Sequence, residues 1–115
     1  MKIITDERCT AYSKPGHPER PERITKTLEK LRSQKALPLK WAEPSPVDVE
    51  MLKRAHSDEH IARIKAAAQD FDGDTPRYPD IFDQACRSVG GGVQALKAAR
   101  KGEFAFSLLR PPGHH

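Results

Sequence analysis

The sequence lacks any long run of apolar residues, since no more than three stand side by side anywhere in its 115 residues. A membrane-spanning helix needs about 20 such residues, and a secretory signal needs an apolar stretch of at least ~7. Residues 1–4 give way at once to a polar segment. We therefore expect a soluble, cytoplasmic protein that has no membrane partner.

Basic clusters and paired cysteines are also scarce. The 20 Lys and Arg residues exceed the 16 Asp and Glu residues, for a net charge of +4. These basic residues are dispersed, whereas a nucleic-acid module would concentrate them on one face. No specific nucleic-acid partner is predicted.

Cys9 and Cys86 form no Cys-x-x-Cys pair, and we expect both to be reduced packing residues.

Three segments have the composition of strands. They are residues 2–5, residues 37–43, where apolar and polar side chains alternate, and residues 104–109, which are almost entirely apolar. A strand without alternation is typical of a parallel sheet covered by helices on both faces. The order of strands and helices along the chain predicts an α/β fold.

Between these strands the apolar spacing predicts helices. One begins near Glu22, a second begins behind the N-cap residue Ser57, and a long third one covers residues 81 to about 101. Ser45 followed by Pro46 is predicted to open a further short helix. Two loops are expected: residues 12–21, with three prolines and a glycine, and residues 70–79.

The long helix contains three consecutive glycines at positions 90–92. Each costs roughly 1 kcal/mol relative to alanine inside a helix. We expect close approach of a neighbouring element to offset that cost.

The chain ends on an extended, stiff segment followed by two imidazoles. Pro111 and Pro112 hold the backbone out of the helical region, Gly113 permits a bend, and His114 and His115 follow. Loops that leave the carboxyl ends of parallel strands carry the catalytic groups of α/β proteins, and paired imidazoles can divide the roles of proton acceptor and proton donor. Two frayed terminal histidines would give the same pattern, and the pattern alone weighs both equally.

A second histidine pair lies at His56 and His60, which match the H-x-x-E-H pattern of a zinc-protease helix. That chemistry needs both histidines on one continuous helix. Ser57 is predicted to start the helix, which leaves His56 outside it and makes a structural role the favoured interpretation. The protease hypothesis predicts about one bound zinc ion, held by His56 and His60.

Several motifs together resemble the histone deacetylase superfamily, which includes bacterial acetoin-utilisation proteins and acetylpolyamine amidohydrolases. They occur in the family's order, and the first and last are the most specific. The matching segments are residues 16–24 (GHPERPERI), 54–57 (RAHS), 74–76 (DTP), 85–92 and 110–115 (RPPGHH). The resemblance implies that residues 1–115 form the N-terminal portion of a three-layer domain with a parallel sheet, of the arginase/deacetylase type.

The resemblance also implies an activity, which is zinc-dependent hydrolysis of an N-acetyl amide such as acetyl-lysine or an acetylpolyamine. By position, His115 is implied as the general base and His114 as its partner. Asp74 is implied as the carboxylate that binds substrate, although a shift of alignment would give Asp72 instead. Arg20 is implied to line an interior channel, and a salt bridge tying the proline-rich loop to the core is an equally weighted alternative.

The family's zinc ligands follow the tandem histidines, so the sequence ends at His115 before any of them. We therefore expect no metal ligand within this chain and little activity from it in isolation. The missing C-terminal part is a candidate partner as a separate chain. The alternative from another class is a truncated paralogue without catalysis that acts as a binding or docking module.

Overall fold

The central element of the fold is the strand β1, Lys2–Thr5, in a computed structural model that describes residues 1–113. It pairs in parallel with β2 (Lys40–Ala42) on one side and with β3 (Ala105–Leu108) on the other, so the order is β2-β1-β3. Its residues Ile3 and Ile4 are fully buried, because their side chains point to opposite faces and both faces are covered. The predicted α/β fold with a parallel sheet is confirmed.

The crossover connections that parallel strands require are helical. The helices are α1 (Glu22–Ser33), α2 (Val49–Leu52), α3 (Asp58–Ala66) and α4 (Ile81–Ala99). Helices α1 and α3 begin where the sequence predicted, and the Ser57 hydroxyl accepts a hydrogen bond from the His60 amide at 3.2 Å. A 3₁₀ helix at Glu7–Thr10, which the sequence analysis did not anticipate, follows β1 directly.

Two helices cover the sheet. Helix α1 contributes Ile24 and Leu28 to the buried cluster around β1. Cys9, from the 3₁₀ helix, belongs to the same cluster. Helix α4 lies against β1 and β3, where Gly91 approaches Ile4 and the side chains of β3. Both cysteines are buried, free thiols, which confirms their predicted role in packing. No helix among the described residues combines the length and apolar character needed to cross a membrane.

The expected close approach at the glycines of α4 is confirmed at two of the three positions. A Cβ atom at Gly90 would collide with the backbone carbonyl of Ser45, and one at Gly91 would collide with side chains of β3 and Leu109. Gly92 has open space around its Cα. The first two glycines therefore let the 42–46 segment and the sheet pack directly on the helix backbone.

One prediction about local structure is wrong, and a second holds only in part. Ser45 and Pro46 do not open a helix, because the Ser45 amide donates to Gln94 of α4 and holds this segment against that helix. Helix α2 begins later, with Asp48 as the capping side chain. Strand β3 is not covered on both faces by residues 1–113, since Phe104 is 83% exposed and Phe106 is 48% exposed.

The glycine contacts give a matched test of packing. We expect Gly90→Ala to lower the free energy of unfolding by about 1–3 kcal/mol, because its methyl group meets a backbone carbonyl that has no rotamer to adopt. Gly92→Ala is the control and should raise it by up to ~1 kcal/mol through helix propensity. Urea denaturation followed by circular dichroism measures both, and equal effects of the two substitutions would contradict the packing argument.

Candidate functional site

The candidate site lies at the carboxyl edge of the sheet, where groups from separate strands of a parallel sheet converge. Three segments meet there. We call residues 12–21 the proline-rich loop, residues 70–79 the acidic loop, and residues 110–113 the post-β3 segment. Three of the five motifs that carry the resemblance lie at least partly on these segments, and side-chain contacts join the segments.

The strongest contact joins the post-β3 segment to the proline-rich loop. The Arg110 side chain is 2% exposed and forms a two-pronged ion pair with Glu19, with Nε and Nη2 each 2.7 Å from a carboxylate oxygen. Its Nη1 donates to the carbonyls of Cys9, at 2.9 Å, and Tyr12, at 3.1 Å. The guanidinium carbon also lies 4.1 Å from the centroid of the Tyr12 ring.

This arrangement compensates a buried charge. Burial by itself would lower the pKa of Arg110, but the Glu19 carboxylate holds that pKa above its ordinary value. Paired hydrogen bonds of this geometry are among the strongest polar contacts in proteins. The same burial raises the pKa values of Tyr12 and Cys9, so both remain protonated and neutral around the guanidinium.

Further contacts fix the post-β3 segment and the acidic loop. The Ser88 hydroxyl of α4 donates to the Pro111 carbonyl at 2.6 Å, and the Arg110–Pro111 peptide bond is cis. The rings of Tyr12 and Tyr78 pack with centroids 4.7 Å apart, which brings the base of the acidic loop against the proline-rich loop. The post-β3 segment is thus held by a helix on one side and by a loop on the other.

A histidine links the tips of the two loops. His17 Nε2 lies 2.8 Å from the backbone carbonyl of Asp74. Its Nδ1 accepts a hydrogen bond from the Glu19 amide at 3.1 Å. Nδ1 also lies 3.2 Å from the Glu19 carbonyl. Because a carbonyl oxygen can only accept, Nε2 carries a proton and donates to Asp74, and in the neutral ring Nδ1 is then the acceptor.

The structure places the predicted substrate carboxylate on the exposed acidic loop. The Asp72 carboxylate accepts from the Asp74 amide at 2.8 Å, so Asp72 shapes the loop. The side chain of Asp74 carries no hydrogen bond or ion pair to any residue within 1–113 and is exposed to solvent. The binding role of Asp74, and the alternative assignment to Asp72, remain predictions.

The alternative role weighed for Arg20, a salt bridge that ties the proline-rich loop to the core, is wrong for this residue. The Arg20 side chain is 61% exposed and lies 3.8 Å from Glu22. The salt bridge that ties the proline-rich loop to the core comes instead from the neighbouring Glu19, through Arg110. A channel role of Arg20 remains a prediction.

The tandem histidines His114 and His115 lie outside the described residues, so their predicted catalytic roles remain predictions. Within residues 1–113, no group of three or more His, Cys, Asp or Glu side chains is arranged to hold a metal ion. The described part of the chain therefore does not supply a zinc site that fits the family's chemistry.

The second histidine pair does not share one helix. His56 precedes the N-cap residue Ser57, as predicted, and its ring stacks on that of His60 with centroids 5.1 Å apart. Both side chains are exposed. This geometry differs from the helical pair that the protease pattern requires.

Sequence reasoning missed the residues that assemble the site, namely Glu19, Arg110 and His17. Arg110 had a usable signal, because a cation directly after an apolar strand of a parallel sheet is buried and needs a carboxylate partner. Glu19 and His17 belong to the GHPERPERI motif, but their contacts could not be predicted from it, since their partners lie 91 and 57 residues away.

Comparisons with known proteins agree with this geometry. The family model described as Histone deacetylase domain matches residues 17–115. A "Probable deacetylase" of Archaeoglobus fulgidus is 32% identical over 98% of this chain and 34% of its own length. A "Histone deacetylase-like amidohydrolase" of Pseudomonas aeruginosa is 36% identical over 87% of this chain and 28% of its own length.

Two more comparisons bear on length and fold. "Polyamine deacetylase HDAC10" of Homo sapiens is 33% identical over 84% of this chain and only 16% of its own length. The solved HDA15 HD domain superposes on the whole chain with a TM-score of 0.85 at 23% identity, covering 37% of that structure, which shows the same fold. The chain therefore spans about a third or less of each relative.

The buried ion pair yields a test with an exposed arginine as its control. We expect Arg110→Ala to lower the free energy of unfolding by about 3 kcal/mol, because it removes the short ion pair of the mostly buried Glu19 and leaves only the longer one to Arg23, at 3.8 Å. Arg20→Ala should change it by no more than ~0.5 kcal/mol, since its ion pair is exposed. Urea denaturation measures both, and an equal, small effect would show that Arg110 does not hold the loops together.

Proposed function

Because the chain belongs to the histone deacetylase family, we propose that it forms the N-terminal portion of a zinc-dependent deacetylase that hydrolyses N-acetyl amides. The proposed substrates are acetyl-lysine side chains or acetylated polyamines, and the proposed location is the cytoplasm. The names of two relatives, an amidohydrolase and a polyamine deacetylase, support this substrate class.

The observation that carries the proposal is the anchoring of the post-β3 segment. Arg110 and Ser88 fix its start from opposite sides, and the tandem histidines follow it in sequence. His17 holds the acidic loop beside the same sheet edge. Proton-transfer catalysis requires such prepositioned supports, because groups must lie within hydrogen-bond reach of the reacting atoms.

The proposed chemistry uses the side chains of this chain in three roles. His115 takes a proton from the attacking water as its oxygen bonds to the acetyl carbon, and it later gives that proton to the amine nitrogen as the C–N bond breaks. His114 stays positively charged and stabilises the negative charge that develops on the acetyl oxygen. The exposed Asp74 carboxylate accepts a hydrogen bond from a substrate N–H group.

Zinc would supply a Lewis acid and a water of lowered pKa. Since the described residues do not form a fitting metal site, we propose that its ligands come from polypeptide that this chain does not contain. The chain spans about a third of its relatives' length, which leaves room for such a portion, either fused to this chain or as a separate one.

Strand β3 offers a surface for that portion. Among the described residues it pairs only with β1, so its outer edge presents free backbone donors and acceptors. Phe106 of this strand and Phe104, just before it, are also exposed apolar side chains. A parallel strand with an attached helix would satisfy both features.

The same surface favours the second candidate function. A non-catalytic docking module would use the β3 edge and the two phenylalanines to bind another chain, without any gain of hydrolysis. Complementation separates the two candidates, because only the deacetylase portion becomes active when zinc ligands are provided.

The test compares the chain alone with the chain fused to the part of the Archaeoglobus fulgidus relative that it does not match. We expect the fusion to bind zinc and to release acetate from acetyl-lysine peptides or acetylpolyamines. We expect the isolated chain to do neither. In the fusion, His115→Ala should lower kcat by about 10²–10⁴-fold, as for loss of a general base.

His60→Ala is the control and should leave both zinc content and kcat unchanged. Loss of the bound zinc in that variant would support the zinc-protease hypothesis instead. Hydrolysis by the isolated chain at the rate of the fusion would contradict the proposal, and so would full activity of the His115→Ala fusion.

A further inference from the structure

We propose that His17 is a positioning residue that fixes Asp74 relative to the post-β3 segment, which the tandem histidines follow in sequence. The inference rests on the proposed function and deepens it. In this proposal, His17 holds the substrate-binding carboxylate in place without itself contacting the substrate or the reacting atoms.

The contacts form a continuous relay of four residues. The Arg110 guanidinium binds the Glu19 carboxylate, and the backbone amide of that same Glu19 donates to His17 Nδ1. His17 Nε2 then donates to the Asp74 carbonyl. Every step is a hydrogen bond of 2.7–3.1 Å, so the acidic loop is connected to the end of β3 without a gap.

The relay is stiff because its two middle residues, His17 and Glu19, lie in the proline-rich loop. The His17 amide donates to the Lys14 carbonyl at 3.1 Å and closes a turn. Pro18 restricts the backbone of His17 to extended conformations. Glu19 is held at both its amide and its carboxylate, so the imidazole has a fixed starting point.

The acidic loop has hydrogen bonds of its own, which join residues within the loop. The Phe71 amide donates to the Thr75 carbonyl, and the Arg77 amide donates to the Asp70 carboxylate. The side chains of Arg63 and Arg77 donate to the carbonyls of Phe71 and Ala67 and tie the base of the loop to the end of α3. The bond from His17 reaches the loop at Asp74 itself, and we assign to it the position of that residue relative to the post-β3 segment.

Position matters for the chemistry because a misplacement of about 1 Å can cost 10²-fold in rate. The Asp74 carboxylate is exposed, and its place therefore depends on its backbone. We expect loss of the His17 bond to weaken substrate binding first, with a smaller effect on the proton-transfer step.

The best variant separates the two bonds of the imidazole. In His17→Asn, the side-chain oxygen can still accept from the Glu19 amide, as in an Asx-turn two residues on. The shorter side chain does not reach Asp74. His60→Asn is the matched control, because the His60 side chain is exposed and its ring stacks on that of His56, away from the acidic loop.

The first measurement is amide hydrogen exchange on the full chain. In His17→Asn the amides of Phe71, Asp74 and Thr75 should exchange about fivefold faster, as expected for loss of one hydrogen bond, while the Glu19 amide stays protected. His60→Asn should change neither. Unchanged exchange in the acidic loop of His17→Asn would overturn the inference, whether or not the proposed deacetylase activity exists.

The second measurement is a double-mutant cycle in the fusion protein. His17→Asn should raise KM about tenfold and change kcat by less than about threefold, which is the split for an interaction that serves binding. In an Asp74→Asn background the same substitution should have no further effect. An active fusion with additive effects, or with an unchanged KM for His17→Asn, would overturn the inference and leave the proposed function standing.

Discussion

The structure depends on one buried cation. Arg110 leaves strand β3 at the carboxyl edge of the sheet, where removing its charge from water would cost several kcal/mol without a partner. Glu19 provides that partner from a loop 91 residues earlier in the chain, and two backbone carbonyls complete the shell. The proline-rich loop must therefore fold over the end of the sheet, since the guanidinium is satisfied in no other way among the described contacts.

The second constraint is the depth at which α4 lies on the sheet. Gly90 and Gly91 bring the helix backbone against Ser45 and β3. Because the helix lies so close to the sheet, the hydroxyl of Ser88 on the same helix can donate to the Pro111 carbonyl, at 2.6 Å. The cost of glycine in a helix is thus offset by packing that also anchors the post-β3 segment, so a stability feature and a site feature share one cause.

Much of this fold follows from local sequence signals, and most of the site does not. Periodicity and capping locate β1, α1 and α3, because those signals act within one turn or one strand. The pairing of Ser45 with Gln94, which cancels the expected N-cap, comes from tertiary contact. The contacts of Arg110 and His17 cross 91 and 57 residues, and no local pattern encodes them. Asp74 was found only through the family resemblance.

The exposed side chains and the free edge at β3 would both be covered if another polypeptide completed the sheet there. Covering Phe104 and Phe106 would contribute a few kcal/mol, given about 1.5–3 kcal/mol for full burial of such a side chain, and pairing the free strand edge would add to it. Both gains arise at β3 itself, and the Arg110 relay begins directly after that strand. Any polypeptide that completes the sheet at β3 would therefore stabilise the strand from which the relay is anchored. Under the proposed function, the anchored post-β3 segment would support the proton-transfer groups, and the packing that completes the sheet would stabilise that support.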